Sequence, residues 1–162
     1  MRFSIYKTVI NDRQPELVKR SSHNYPGVCQ LTAPYTVADF MIKVFGLDKA
    51  SEEYMYLVSL DIKGRPLGVF EISHGTISSS LVSVREMLIK LLLTGAVGCI
   101  VCHNHPSGYS DPSEDDITTT WSMREGCQAV GITFLDHIIV AGDTMDCGSS
   151  YYSFREHDRL DK

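Results

Sequence analysis

Two histidines one residue apart, His103 and His105, are followed by a Pro/Gly/Ser loop and a run of acids in the segment HNHPSGYSDPSEDD. In a β-strand, residues i and i+2 point to the same face, so both imidazoles at a strand end can reach one point while Asn104 points away. Asp116 falls eleven residues after His105, in the first turn of a predicted helix, where its carboxylate can face back. Two imidazoles and one carboxylate are the donor set of a catalytic zinc site, which leaves a fourth position for water.

Spacing alone keeps a second reading open. Asp116 also suits a capping box with Ser113, or simply complements the helix dipole, and the histidines also suit a polar strand end. Asp111 competes as the cap, with Pro112 at the first helical position and Glu114 three residues after the cap, which would free Ser113 and Asp116 for other work. The sequence does not choose between the two caps.

Other readings of the same letters fail on context. The tripeptide HNH shares only its letters with a nuclease class whose residues are dispersed through a metal-binding fold. CIVCH fits the C-x-x-C-H haem pattern, yet it lies inside an apolar strand of a chain in which no export signal is expected. Cys99 would sit roughly 13 Å from His103 at about 3.3 Å per residue, and Cys99 and Cys102 face opposite sides of a strand, so both read as core. The H-x-E and P-C-x-x-C signature of zinc deaminases is missing.

The elements that must position these residues are legible in outline. The run VGCIVCH is short and continuously apolar, as in a strand buried on both faces, and delivers the chain to His103. A third helix is predicted from near Ser113 to about Ala129, and ITFLDHIIVA supplies another buried strand. Upstream, RFSIYKTVI alternates as a strand, and SSHNYPGVCQLTAPY reads as loop. Thr36 is the expected cap of a first helix with Val37, Phe40, Met41, Val44 and Phe45 on its apolar face, closed by Gly46. YMYLVSLD and LGVFEIS, joined by IKGRP, predict an antiparallel hairpin. Ser83 and Glu86 form a capping box before Val84, Met87, Leu88, Leu91 and Leu92, with Gly95 ending that second helix. Helices alternating with buried strands after a hairpin imply a mixed sheet with helices packed on it.

The chain has 162 residues, 43% hydrophobic and 22% charged, enough for one domain and close to ordinary soluble averages. No apolar run is long enough to span a bilayer. MRFSIYKTVIND has no apolar h-region or cleavage site, so no signal peptide is expected and the reading is cytoplasmic. A net charge of -5 gives no general reason to bind nucleic acid. Five cysteines without secretory context read as reduced thiols.

The series His103-x-His105, seven residues, Ser113, two residues, Asp116 resembles the JAMM motif of MPN-type (JAB-domain) metalloproteases, and HNHPSG with PSEDD looks like its bacterial RadC branch. HGTISSSLVSVRE and LDHIIV add matches in the same order, so that the resemblance covers about residues 32 to 155. It implies an α/β (α+β) MPN fold, a mixed sheet flanked by helices and similar to the cytidine-deaminase-like arrangement. Residues 1 to 31 then form a strand and loop extension of a domain spanning 32 to 162. It further implies that His103, His105 and Asp116 hold one zinc ion, and that Glu71, in GVFEISHGT, hydrogen-bonds the metal's water and shuttles its proton. Without the family, Glu71 is an acid in an otherwise apolar strand, costly there unless paired. By the same carry-over Ser113 steadies the oxyanion or the water.

The implied activity is hydrolysis of a peptide or isopeptide bond in an unidentified peptide or protein substrate. The alternatives are a non-catalytic zinc-binding interaction module and a DNA-associated protein, the latter disfavoured by the acidic charge. Pairing into a homodimer fits the resemblance, although no interface is legible. Two features depart from the branch. Roughly 30 residues precede the resemblance, too few for the N-terminal helical region of longer RadC proteins, and SVRE has valine where the branch leads one to expect proline. His137 in LDHIIV is read first as a satisfied core histidine, with a place behind the metal ligands or a contact with substrate as the alternative. His74 and Cys102 read as structural, and His23 and His157 as solvent-facing.

Overall fold

The computed structural model describes residues 1–75, 82–142 and 151–161. Of the expected HGTISSSLVSVRE segment, residues 76–81 lie outside the described residues. The described elements run β1 (Arg2–Asn11), β2 (Gln14–Asn24), α1 (Pro34–Phe45), β3 (Tyr54–Leu60), β4 (Pro66–His74), α2 (Val84–Thr94), β5 (Gly98–His105), α3 (Glu114–Ala129), β6 (Thr133–Ala141) and β7 (Tyr151–Ser153).

One mixed sheet carries seven strands in the order β2-β1-β4-β3-β5-β6-β7. β1 runs parallel to β4 and β5 parallel to β6, while the other neighbours are antiparallel. Side-chain alternation divides the sheet into two buried faces. Val58, Val69, Ile100, Cys102, Ile138 and Val140 pack on α1 through Val37, Phe40 and Met41. Leu57, Phe70, Cys99, Val101 and Phe134 pack on α2 and α3 through Met87, Leu91, Met123 and Cys127. Each fully buried aliphatic or aromatic side chain contributes about 1.5–3 kcal/mol relative to exposure. The mixed sheet between helices is the α/β architecture expected from the sequence. Cys99 and Cys102 lie on opposite faces, as strand alternation required.

The differences from expectation are local. Residues 21–24, read as loop, are the end of β2, paired antiparallel with β1. The connecting turn places Asp12 and Arg13 at φ 46 and 65, a left-handed pair for which glycine or asparagine would be the recognisable signal. α1 starts two residues before Thr36: Ala33 is its cap, Pro34 holds the first helical position and no side chain caps it. Proline there gives up only an N–H that the helix leaves unpaired anyway.

In α2, Ser83 accepts from the Glu86 N–H and Gly95 closes the helix in the left-handed region. Leu92 is 58% exposed, so the apolar stripe is narrower than expected. Val84, the residue that departs from the branch, fits the α2–α3 contact. A Cβ on Gly126 would come within 2.4 Å of Val84 Cγ1, so glycine there lets α3 lie close against α2.

Candidate metal centre

β5 ends at His105, and both histidines project from its last turn of alternation toward α3. His103 Nε2 lies 3.0 Å from His105 Nε2 and 3.1 Å from Asp116 Oδ1. His105 Nε2 lies 3.3 Å from Asp116 Oδ2. A tetrahedral ion with bonds of about 2.0–2.1 Å separates its donors by roughly 3.3 Å, so this trio fits a zinc-sized cation with little movement. All three candidate ligand atoms lie within 4.8 Å of one another.

Burial makes the arrangement asymmetric. The side chains of His103 and Asp116 are 0% and 4% exposed, and that of His105 is 13% exposed. Ligand access is therefore from the His105 side. His105 Nδ1 faces the Tyr109 carbonyl oxygen at 2.9 Å; a carbonyl only accepts, so Nδ1 carries a proton and Nε2 is the atom left for a cation.

Asp116 is the first acid of the site to consider electrostatically. Burial works against its ionisation, yet hydrogen bonds from His103 and His105 outweigh that and hold its carboxyl well below the usual carboxylate range. For His105, burial opposes the charge, but the bonds to Asp116 and to the Tyr109 carbonyl and the nearby charge of Glu53 raise its pKa above the ordinary value.

Glu71 is not at this site. It pairs with Tyr56 on β3, which pairs in turn with Cys102 on β5, and that row of side chains faces α1. His103 pairs with Met55, one residue along and on the opposite face. Glu71 is exposed in a cavity of about 610 Å³ together with Tyr56, Lys7 and Arg20. There burial and its negative charge push the Tyr56 hydroxyl up to about 12.

The acid near the trio is Glu53. Extending the Met55↔His103 register by two residues sets Glu53 across from His105, on the face that bears the histidines. The segment is held there by Asn104, which is 1% exposed and turned away from the trio as expected. Its Oδ1 accepts from the Tyr54 N–H at 2.9 Å, and its Nδ2 donates to the Glu52 carbonyl at 3.0 Å. Glu53 O accepts from the Gly75 N–H at 2.9 Å. Neither Glu53 nor the tether of Asn104 was read from the sequence.

The profile of the RadC-like JAB domain matches residues 31–159. The chain belongs to the RadC-like JAB domain family. It is 34% identical over 145 residues to a UPF0758 protein of Clostridium perfringens, covering 90% of this chain and 60% of that protein. A UPF0758 protein of Streptococcus uberis is 36% identical over 137 residues, 85% of this chain and 55% of its own length. One from Coprothermobacter proteolyticus is 35% identical over 113 residues, 68% of this chain and 48% of its own length. The chain thus spans about half to three-fifths of the length of these relatives.

In this RadC-like JAB domain Ser113, not Asp111, caps α3. Its Oγ accepts from the Asp116 N–H, and the Asp116 side chain accepts in return from the Ser113 N–H, a complete capping box. The Ser113 hydroxyl also donates to Asp116 Oδ2 at 2.6 Å. Its proton is thereby committed to the ligand carboxylate and not to an oxyanion; Oδ2 is shared between Ser113 and His105, and Oδ1 faces His103. The two sequence readings of Asp116, cap partner and ligand, are therefore satisfied by one carboxylate using its two oxygens.

His137 is a buried histidine with both ring nitrogens hydrogen-bonded, as the core reading has it, and its Nε2 lies 2.8 Å from His103 Nδ1, directly behind a candidate ligand. Burial, and then the nearness of His103, depress its pKa well below the ordinary value. The neighbouring Asp136 faces the other side, accepting from Ser153 Oγ at 2.6 Å and the Arg155 N–H at 3.0 Å. His74 pairs with Glu52 at 2.8 Å and stacks on Tyr54, away from the trio. Cys102 is buried in the α1-facing core, while His23 and His157 are exposed.

No helix among the described residues is long and apolar enough to cross a membrane.

Proposed function

We propose that this chain is a zinc-dependent hydrolase that cleaves a peptide or isopeptide bond, with His103, His105 and Asp116 as the metal ligands. The observation that carries the reading is the convergence of His103 Nε2, His105 Nε2 and the Asp116 carboxylate, with Oδ1 3.1 Å from His103, Oδ2 3.3 Å from His105 and the two nitrogens 3.0 Å apart, beside an acid that is not a ligand. Three protein donors with room for a fourth are the mark of catalytic sites; structural zinc sites close the fourth position with protein.

When bound there, zinc supplies a Lewis acid for the scissile carbonyl and a water of lowered pKa. Glu53 is the general base in this reading, in place of Glu71. Its carboxylate takes a proton from the attacking water and returns it to the leaving amine nitrogen. Ser113 holds the Asp116 carboxylate against the two histidines, and the Tyr109 carbonyl keeps the Nδ1 proton on His105. A peptide substrate enters from the half-open side at His105 and Tyr109.

The test is turnover of quenched-fluorescent peptides, one set joined through α-peptide bonds and the other through lysine isopeptide bonds, with zinc-loaded protein. Glu53→Gln is expected to lose about 10²–10⁴-fold in rate while keeping its metal, and Glu71→Gln is expected to match wild type. Loss in Glu71→Gln with full activity in Glu53→Gln would refute the assignment of the base. A zinc-loaded wild type that turns over neither set would favour a zinc-binding module without catalysis.

A further inference from the structure

The bond between His103 and His137 belongs to a longer chain whose direction is fixed at its far end. Thr120 Oγ1 lies 2.6 Å from the Asp116 carbonyl oxygen and 2.6 Å from His137 Nδ1. A carbonyl oxygen has no proton to give, so the single hydroxyl proton of Thr120 is donated to Asp116 O. The Thr120 oxygen must then accept from His137, which places a proton on His137 Nδ1. His137 is 0% exposed, and its ring lies flat against Phe154 with centroids 5.1 Å apart, a setting that favours the neutral imidazole. Its Nε2 therefore offers a lone pair, and His103 Nδ1 supplies the proton between them.

Both His137 nitrogens are thus occupied, Nδ1 by Thr120 and Nε2 by the Nδ1 side of His103, so His137 is not a fourth ligand. The chain also closes on itself: it starts at a ligand on β5, passes through β6 and returns to the backbone of the residue on α3 that provides another ligand. His105 reaches the same Nδ1-protonated form more simply, through the Tyr109 carbonyl.

We propose that Thr120 and His137 are positioning residues that set the tautomer of His103, keeping its proton on Nδ1 and its Nε2 lone pair turned to the cation. This rests on the reading of His103 as a ligand. Histidine ligands whose second nitrogen donates to an acceptor hold metal more tightly, and removing such a partner costs about 10–100-fold in affinity. Here the acceptor is itself a histidine, whose own tautomer needs Thr120.

The experiment places the protons first. Long-range ¹H–¹⁵N spectra of the metal-free protein, wild type and Thr120→Val, report which ring nitrogen of His137 is protonated. The expected result is Nδ1 in wild type and in Thr120→Ser, and Nε2 in Thr120→Val, which keeps the side-chain shape and removes the acceptor. Zinc affinity by chelator competition is expected to fall about 10–100-fold in Thr120→Val and to recover in Thr120→Ser. A wild-type proton on His137 Nε2, or a Thr120→Val protein with an unmoved proton and unchanged affinity, would overturn the proposal. If wild type binds no zinc, the hydrolase reading falls, and the location of the His137 proton alone decides this one.

Discussion

The two faces of the central sheet bury side chains to different ends. Toward α1 the strands present Val58, Val69, Ile100, Ile138 and Val140 to Phe40 and Met41, an apolar contact with no direction of its own. Toward α3 the same strands bury His103 and His137 against Asp116 and Thr120, where each polar atom must find a partner or cost free energy. The apolar face secures the domain, and the polar face orders a small set of lone pairs. An acid on one face is then chemically unlike an acid on the other. Glu71 looks into the cavity beside Tyr56, whereas Glu53 acts on His105.

The sharpest way to separate the faces is to damage each in turn. Met41→Ala, which truncates a fully buried α1 side chain, is expected to cost about 2–5 kcal/mol of unfolding free energy. Zinc affinity of the protein that remains folded should be nearly unchanged. Denaturant titration and chelator competition on the same preparation check both halves.

Asn104→Ala attacks the joint between strand and acid. Losing the partner of the half-buried Tyr54 N–H is expected to cost about 1–3 kcal/mol. Because it frees the segment bearing Glu53 without touching a ligand, hydrolysis should fall more than metal binding does. An equal loss of both would mean that Asn104 supports the strand end alone.

A smaller effect is expected from Ser113→Ala, which removes the α3 cap and the donor to Asp116 Oδ2. Helix caps contribute about 0.5–2 kcal/mol, and zinc affinity should weaken along with stability, since one oxygen serves both. A stability loss with no change in affinity would separate the cap from the site.

The smallest effect is on pH dependence. His105 has a raised pKa in the folded protein, with Asp116, Tyr109 and Glu53 overcoming burial. Its contribution to the stability of the metal-free protein is thus fully present below the unfolded value of about 6.5 and is lost as pH rises through the folded one. Zinc competes with the same proton. Affinity should therefore rise with pH, with proton release on binding declining above the folded pKa; calorimetry in buffers of different ionisation enthalpy measures both.

What was legible in the sequence was local. His103 and His105 share a face through a two-residue period, and Asp116 is placed by the first turn of a helix, so a short stretch of letters carries the trio. Ser83 and Gly95 mark α2 for the same reason. Glu53 was not legible, because its place opposite His105 follows from β3 pairing with β5, about fifty residues apart, and from the Asn104 tether. Nor could alternation assign Glu71 to a face: LGVFEIS separates Glu71 from Phe70 and Ile72, but only the strand register, with its irregularity between Met55 and Tyr56, says which side holds the histidines. The β1–β2 hairpin was hidden by a turn built from Asp12 and Arg13, and His137 by an apolar strand that reads as core.

The most direct test of the central claim is metal content by mass spectrometry on protein purified without added metal or a nickel column. Wild type should carry about one zinc per chain, the figure for a single three-donor site. His103→Ala and Asp116→Ala should carry none while remaining folded by circular dichroism, and Glu71→Ala should retain the full amount. A folded wild type that neither carries zinc nor takes it up on addition, or a Glu71→Ala variant that loses it, would contradict the account.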